Sequence, residues 1–562
     1  MKNDVHWWQN GVIYQIYPRS FQDSSGNGMG DIRGITQRLD YLQWLGVSAI
    51  WLTPIYCSPQ VDNGYDVSDY YAIDPLFGTM EDFEALTEAA HQRQIRVIMD
   101  MVFNHTSTEH AWFKAAAQDR NSPWRNYYIW REGKEGRLPN NWHSKFGGSA
   151  WHWHEESQQF YLHSFSAHQA DLNWENPQVR DALKAICHFW ADKGVDGLRL
   201  DVINLVSKHP DLPDDHEGDG RRFYTDGPSI HDFLEEMSRD VFQPRGLMTV
   251  GEMSSTQLEH CQRYARLDGK ELSMTFNFHH LKIDYPAGNK WVVAPADRVA
   301  LKRIFSEWQR GMHGLAWNAL FWCNHDQPRI VSRLGDEGPL RTVSAKMLAM
   351  VLHGMQGTPY IYQGEEIGMT NPHFSNIKQY RDVESLNMYK ILRTHQEDEA
   401  VLAVLAAKSR DNGRTPVQWD DSENAGFTCG KSWMDIAGNY RYINVAQEKE
   451  NVDSVLHTYR HLIALRKSMP ILTRGNYVDL EPDSEECWCY QRCDGDTTLL
   501  VIANLGPEPI KIPGEHSDPE VGWELVCANY ADSVQQLSTG SLRSYECVWL
   551  IKASGLSKLS GE

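Results

Sequence analysis

A parallel (β/α)8 barrel, an α/β architecture, is implied by three features of this 562-residue sequence. Eight short β-rich apolar runs recur along the chain, amphipathic stretches lie between them, and polar or acidic residues gather where the runs end. Strand–helix repeats of this kind close into barrels, and barrel enzymes build their sites at the C-terminal strand ends.

The runs are VIYQIY (12–17), VSAIWLTPIY (47–56), IRVIMDMVFNH (95–105) and VDGLRLDVIN (195–204), then LMTVGEM (247–253), LSMTFNF (272–278), NALFWCNHD (318–326) and GTPYIYQGEE (357–366). Helical spacing marks MEDFEALTEAAHQRQ (80–94) and NPQVRDALKAICHFWADKG (176–194). Residues 106–174 are too long for a simple crossover and rich in Trp, Tyr, His and Gly, so an inserted subdomain is expected after the third strand. The barrel then takes 1–105 and 175–470, with a second excursion at 367–450 after strand eight. From 471 the pattern changes: YVDL, CWCYQR, TLLVIANL, WELVCANY and CVWLIK predict a C-terminal antiparallel β-sandwich over 471–562. Packing against the barrel is its expected role; a sugar-binding module is the other reading.

Composition narrows the partners. The apolar fraction of 41% and charged fraction of 23% are ordinary for a soluble globular protein. With 54 Lys+Arg against 75 Asp+Glu, the net charge of −21 argues against nucleic acid or an anionic membrane as partner. A small-molecule substrate remains, and an anionic one would need a local basic patch. No secretory leader or membrane-length apolar run is visible, and the ten cysteines have no framework spacing. Cys487, Cys489 and Cys493 share alternate positions of one strand-like run, which reads as reduced thiols on a strand face. A monomer in the cytoplasm is expected. Trp is frequent at 21, and most of these fill the core, though Trp faces also stack on sugar rings.

Acids stand at several strand ends. Run four ends in GLRLD, placing Asp201 at its mouth with Arg199 on the same face two residues earlier. Run five offers Glu252, run seven His325 and Asp326, run three Asp100, Asn104 and His105. Singly, each is an ordinary polar strand end. Converging at one mouth, they would be costly unless paired or functional. Retaining glycoside hydrolysis suits the set: one carboxylate attacks the anomeric carbon, and a second, about 5–5.5 Å away, protonates the leaving oxygen and then deprotonates water. Arg199 can keep Asp201 ionised, while Glu252 needs a raised pKa to hold its proton.

In order, DMVFNH, GLRLD, VGEM and NHD resemble the four shared motifs of the α-amylase superfamily, glycoside hydrolase family 13. QADLN (169–173) and GYDVSDY (64–70) resemble further motifs of its oligo-1,6-glucosidase subfamily. The resemblance implies that Asp201 is the nucleophile, Glu252 the acid/base and Asp326 the transition-state stabiliser. It implies that His105, Arg199 and His325 assist, that Asp62 and Tyr65 hold the non-reducing glucose, and that Phe165, Gln169 and Arg414 surround that sugar. Such capping implies exo-action on short substrates. Val202, after the nucleophile, lowers the expectation of α-1,4 (maltose-type) cleavage.

The chemistry is expected to need no cofactor. The run DSSGNGMGD resembles the family's cation loop, with Asp23, Ser25, Asn27, the Met29 carbonyl and Asp31 as donors for a structural Ca2+ or Mg2+. A metal-free turn is the equal alternative. GDGRRFYTDGP (218–228) and NFHHLKIDYP (277–286) resemble members of the subfamily that act on a phosphorylated disaccharide. Arg221, Arg222, Lys282 and Lys290 are the candidate phosphate ligands. Two such cations, each contributing about 1.5–3 kcal/mol, would favour the phosphorylated sugar by roughly 10²–10⁴. The alternative substrate is the non-reducing end of a short α-1,6-glucoside.

Overall fold

The computed structural model describes residues 6–134, 137–512 and 522–553. The expected domains' residues 1–5, 135–136, 513–521 and 554–562 lie outside them. All eight predicted runs are strands: β1 (Ile13–Ile16), β2 (Ala49–Leu52), β3 (Arg96–Met101), β4 (Gly197–Leu200), β5 (Met248–Met253), β6 (Met274–Asn277), β7 (Ala319–Phe321) and β8 (Thr358–Tyr362). Each pairs in parallel with its sequence neighbour from β1 to β6, and β7 pairs with β8, which returns to β1. A single parallel bridge, Thr275 to Asn318, joins β6 to the entry of β7 and closes the ring.

Two side-chain sets fill the barrel. Trp51, Ile98, Val250, Phe276, Phe321 and Tyr360 pack together inside it, while the strands' opposite faces carry residues such as Leu198 and Leu200 into the core beneath the helices. The helices start where the sequence stops favouring strand. Met80–Gln92 begins with a capping box between Thr79 and Asp82. Pro177–Asp192 has Asn176 as N-cap and Pro at its first position, and its buried stripe ends in Trp190. Fully burying an aliphatic or aromatic side chain of that stripe contributes about 1.5–3 kcal/mol.

The insertion after β3 is a small β-rich layer. Its base is His105–Ser107 paired with Gln169–Asp171, and its body is a three-stranded antiparallel sheet from Trp130–Arg131, Gln159–Leu162 and Trp151–His154. It overhangs the β3 and β4 ends and so walls one side of the barrel mouth.

The tail differs from two balanced sheets. One five-stranded antiparallel sheet is formed by β9 (Asn476–Asp479), β10 (Cys487–Asp494), β11 (Thr497–Asn504), β12 (Glu524–Ala528) and β13 (Cys547–Ala553), in the order β9-β10-β11-β13-β12. Its second layer is only a two-stranded ribbon, Ile510–Lys511 with Ser541–Leu542. Strand alternation explains both faces. Trp488, Tyr490, Val501 and Trp549 join the barrel's core, while Cys487, Cys489, Leu500 and Val548 pack under the ribbon. The CWC run is thus strand packing. Tyr490 Oη also donates to the Val351 carbonyl at 2.7 Å, fixing the sheet to the barrel.

Candidate active site

Strand register builds the centre of the mouth. Arg199 on β4 stands beside Asp100 on β3, and Leu200 beside Gly251 on β5, so position 201 comes level with Glu252. Arg199 Nη1 donates to Asp201 Oδ1 at 2.6 Å and to Asp100 Oδ1 at 2.7 Å, and Nη2 donates to Glu252 Oε2. All four side chains are buried, so one guanidinium holds three carboxylates out of bulk water. Burial drives the Asp100 carboxyl above the ordinary carboxylate range; Arg199 opposes this and nearby Asp201 adds to it. Tyr65 Oη and Trp51 Nε1 donate to Asp100 Oδ2 at 3.0 and 3.2 Å.

Opposite, Asp326 follows β7. Enclosure alone would raise its carboxyl; Arg410 and Arg414 outweigh that and hold it well below the usual carboxylate range. Arg414 Nη2 donates to Asp326 Oδ1 at 2.7 Å and Arg410 Nη1 at 3.3 Å. Asp326 keeps a third of its side chain open toward the mouth. His325 is held neutral, its pKa pushed down to about 3 by burial first and then by the arginines, against the pull of Asp326. Its Nδ1 lies 2.8 Å from Gln15 Nε2.

The predicted sugar contacts converge beside this pair. The Tyr65 ring stacks on His325 with centroids 5.3 Å apart and planes 4° from parallel. Gln169 Nε2 donates to Asp62 Oδ2 at 3.1 Å and to the Tyr65 carbonyl at 3.2 Å; His105 Nε2 lies 3.0 Å from that carbonyl. Phe165 lies against His105, with centroids 5.2 Å apart. Burial pushes the Asp62 carboxyl up to about 7, against Arg410. Two members went unforeseen: Arg410 bridges Asp62 (3.4 Å), Asp326 and buried Asp382 (2.6 Å), and Arg414 also reaches Asp382 (3.3 Å). Both residues lie in the 367–450 excursion, where no strand end flags them. The available signal was spacing, since the 3-10 turn Arg410–Gly413 brings Arg410 beside Arg414.

The four phosphate candidates separate. Arg222 is not a free cation: it is committed to Asp215 Oδ1 (2.8 Å) and Glu217 Oε2 (2.7 Å), ties within its own loop. Lys290 is likewise taken, by Glu384 at 2.7 Å. Both cations are thus already paired with carboxylates of the chain. Lys282 has no carboxylate partner among the described residues and donates to Ser255 Oγ at 3.3 Å, three residues beyond Glu252. Arg221 sits half-exposed with Asp219 at 2.9 Å.

The 23–31 loop closes on itself. Asp23 Oδ1 accepts from the backbone of Ser25 and Gly26, Oδ2 from Gly28 and Thr428; Asn27 Oδ1 accepts from Met29 N, and Asp31 caps the helix Ile32–Gln37. Among the described residues no group of three or more His, Cys, Asp or Glu could hold a metal. The side-chain oxygens of Asp23, Asn27 and Asp31 thus all accept hydrogen bonds within this turn and from its immediate neighbours.

A barrel whose mouth joins Asp201 and Glu252 through one guanidinium, with Asp326 facing them, is a glycoside hydrolase architecture. The chain belongs to the alpha-amylase family, matching its catalytic domain over residues 15–475. The trehalose-6-phosphate hydrolase of Escherichia coli (strain K12) is 64% identical over 548 residues, covering 97% of this chain and 99% of that one. An oligo-1,6-glucosidase of Parageobacillus thermoglucosidasius is 48% identical over 550 residues, covering 96% and 98%. The solved trehalose-6-phosphate hydrolase of Bacillus licheniformis superposes with a TM-score of 0.94 at 53% identity, over 98% of this chain and all of that one.

Proposed function

We propose that this enzyme hydrolyses α,α-trehalose 6-phosphate to glucose and glucose 6-phosphate with retention of configuration. The observation that carries the chemistry is the shared guanidinium: Arg199 touches both Asp201 and Glu252, which supports the short separation of a retaining pair. Identity of 64% to a trehalose-6-phosphate hydrolase supports the substrate.

The unphosphorylated glucose occupies the pocket of Asp62, Tyr65, His105, Phe165 and Gln169. Arg199 anchors Asp201 Oδ1, so Oδ2 is the oxygen that attacks the anomeric carbon. As that bond forms, the glycosidic bond breaks, and Glu252 gives its proton to the leaving oxygen of glucose 6-phosphate. Water then attacks the glucosyl-Asp201 ester, yields its proton to Glu252 and releases glucose. Asp326, held ionised by two arginines, binds sugar hydroxyls as the ring flattens. Arg221 and Lys282 face the leaving sugar's phosphate.

All ten cysteines are free thiols, which suits the cytoplasm, and no helix of the described residues is long and apolar enough to cross a membrane. A rate panel with trehalose 6-phosphate, trehalose, isomaltose, maltose and sucrose tests the reading. Trehalose 6-phosphate should lead; faster turnover of isomaltose would overturn it in favour of an oligo-1,6-glucosidase.

A further inference from the structure

We propose that Lys145, carried in by the inserted subdomain, is a specificity-determining residue that completes, with Arg221 and Lys282, a three-cation clamp for the leaving sugar's phosphate. This rests on the substrate reading above. No strand end or motif marks Lys145; only its position in the folded chain does.

The placement comes first. Lys145 Nζ donates to Ser254 Oγ at 3.0 Å, and Lys282 Nζ to Ser255 Oγ at 3.3 Å. Both serines directly follow the strand that presents Glu252, so both ammonium groups are tied to the turn just beyond the proton donor. The segment bearing Lys145 is fastened to the loop bearing Arg221. His143 N donates to the Asp219 carbonyl at 3.0 Å, Asn141 Nδ2 to the Asp215 carbonyl at 2.7 Å, and Trp142 Nε1 to the Pro213 carbonyl at 2.8 Å. Gly220 is required at this join: its φ is +94°, and a Cβ there would lie 2.4 Å from the Trp142 ring.

The charge pattern comes second. Neither Lys145 nor Lys282 has an ion-pair partner among the described residues, although the chain carries 75 acidic residues. The carboxylates acting on Lys145 are Asp219, already bound to Arg221, and Asp171, already bound to Lys208 at 2.9 Å. Burial, then the fields of Arg221 and Lys282, push the Lys145 ammonium down to about 7. Lys282 is pushed down too, by burial and then Arg221. Two ammonium groups held near a guanidinium without counter-ions of their own are stabilised by an arriving dianion, and a phosphate monoester is one at pH 7.

The test uses Lys145→Met and Lys145→Arg in the full chain, with trehalose 6-phosphate and an uncharged aryl α-glucoside as paired substrates. Inorganic phosphate serves as a competing inhibitor of aryl glucoside hydrolysis. K145M should lower the ratio of kcat/KM for the phosphorylated over the neutral substrate by 10- to 100-fold and weaken inhibition by phosphate similarly. In the wild type, KM for trehalose 6-phosphate should rise as pH goes from 6.5 to 8.5, because the ammonium discharges while the phosphate stays dianionic. K145R, charged throughout, should keep most of the selectivity and flatten that profile. A ratio within twofold of wild type in K145M, or equal collapse in K145M and K145R, would overturn the clamp. Failure of the substrate reading looks different: the wild type would neglect trehalose 6-phosphate while inorganic phosphate still competed through Lys145.

Discussion

The Arg199 guanidinium donates to the Asp201 carboxylate at 2.6 Å across two positions of a single strand end. Strand alternation puts both side chains on the inner face, so the contact follows from the motif GLRLD itself. Asp201→Asn should keep the fold, because Arg199 retains Asp100 and Glu252, but remove the nucleophile. Turnover should fall by about 10³-fold or more with Tm changed little. Glu252→Gln should fail on trehalose 6-phosphate, yet still give a burst with an aryl glucoside whose leaving group needs no proton. Rapid-quench measurement of the burst checks this, and full steady-state activity in D201N would refute the nucleophile assignment.

The barrel was legible because its signals are local. Eight runs of β-branched and aromatic residues are separated by capped helices, and each acid sits at or shortly after the C-terminal end of a strand. Asp201, Glu252 and Asp326 could be read that way. Arg410, Asp382 and Lys145 could not, since they reach the mouth from the excursion and the insertion, where proximity depends on how loops pack. Arg222 is the reverse case. Its neighbour Arg221 reads identically in sequence, and the difference is that Arg222 is held by two carboxylates, Asp215 and Glu217, where Arg221 has Asp219 alone. The tail's alternation gave strands and faces correctly, but not that the second layer would be a two-stranded ribbon.

That distinction yields a paired prediction. Lys282→Ala should raise KM for trehalose 6-phosphate at least tenfold more than KM for an uncharged aryl α-glucoside, because on the proposed reading it removes an unpaired cation that meets the leaving sugar's phosphate. Arg222→Ala should shift both KM values alike and by little, because half-exposed ion pairs contribute roughly 0–1 kcal/mol and act here on loop order. Michaelis curves for both variants on both substrates decide it. A selective loss in R222A with none in K282A would reverse the assignment of the two cations.

Glu365 gives a stability prediction away from the chemistry. It follows β8, is buried, and accepts from Tyr459 Oη at 2.8 Å. Burial pushes its carboxyl up to about 8; hydrogen bonds from Tyr459 and Cys323 pull the other way, and Glu366 adds to the rise. In the unfolded chain a glutamate titrates near about 4.3. Between those values the unfolded state releases a proton that the folded state keeps. Its contribution is therefore fully present below about pH 4.3 and is lost as pH rises toward 8, at up to about 1.4 kcal/mol per pH unit. Glu365→Gln resembles the protonated form and can still accept from Tyr459. Its Tm relative to wild type should therefore rise steadily from pH 5 to pH 8. Parallel Tm curves for the two proteins across that range would mean that Glu365 does not stay protonated in the fold.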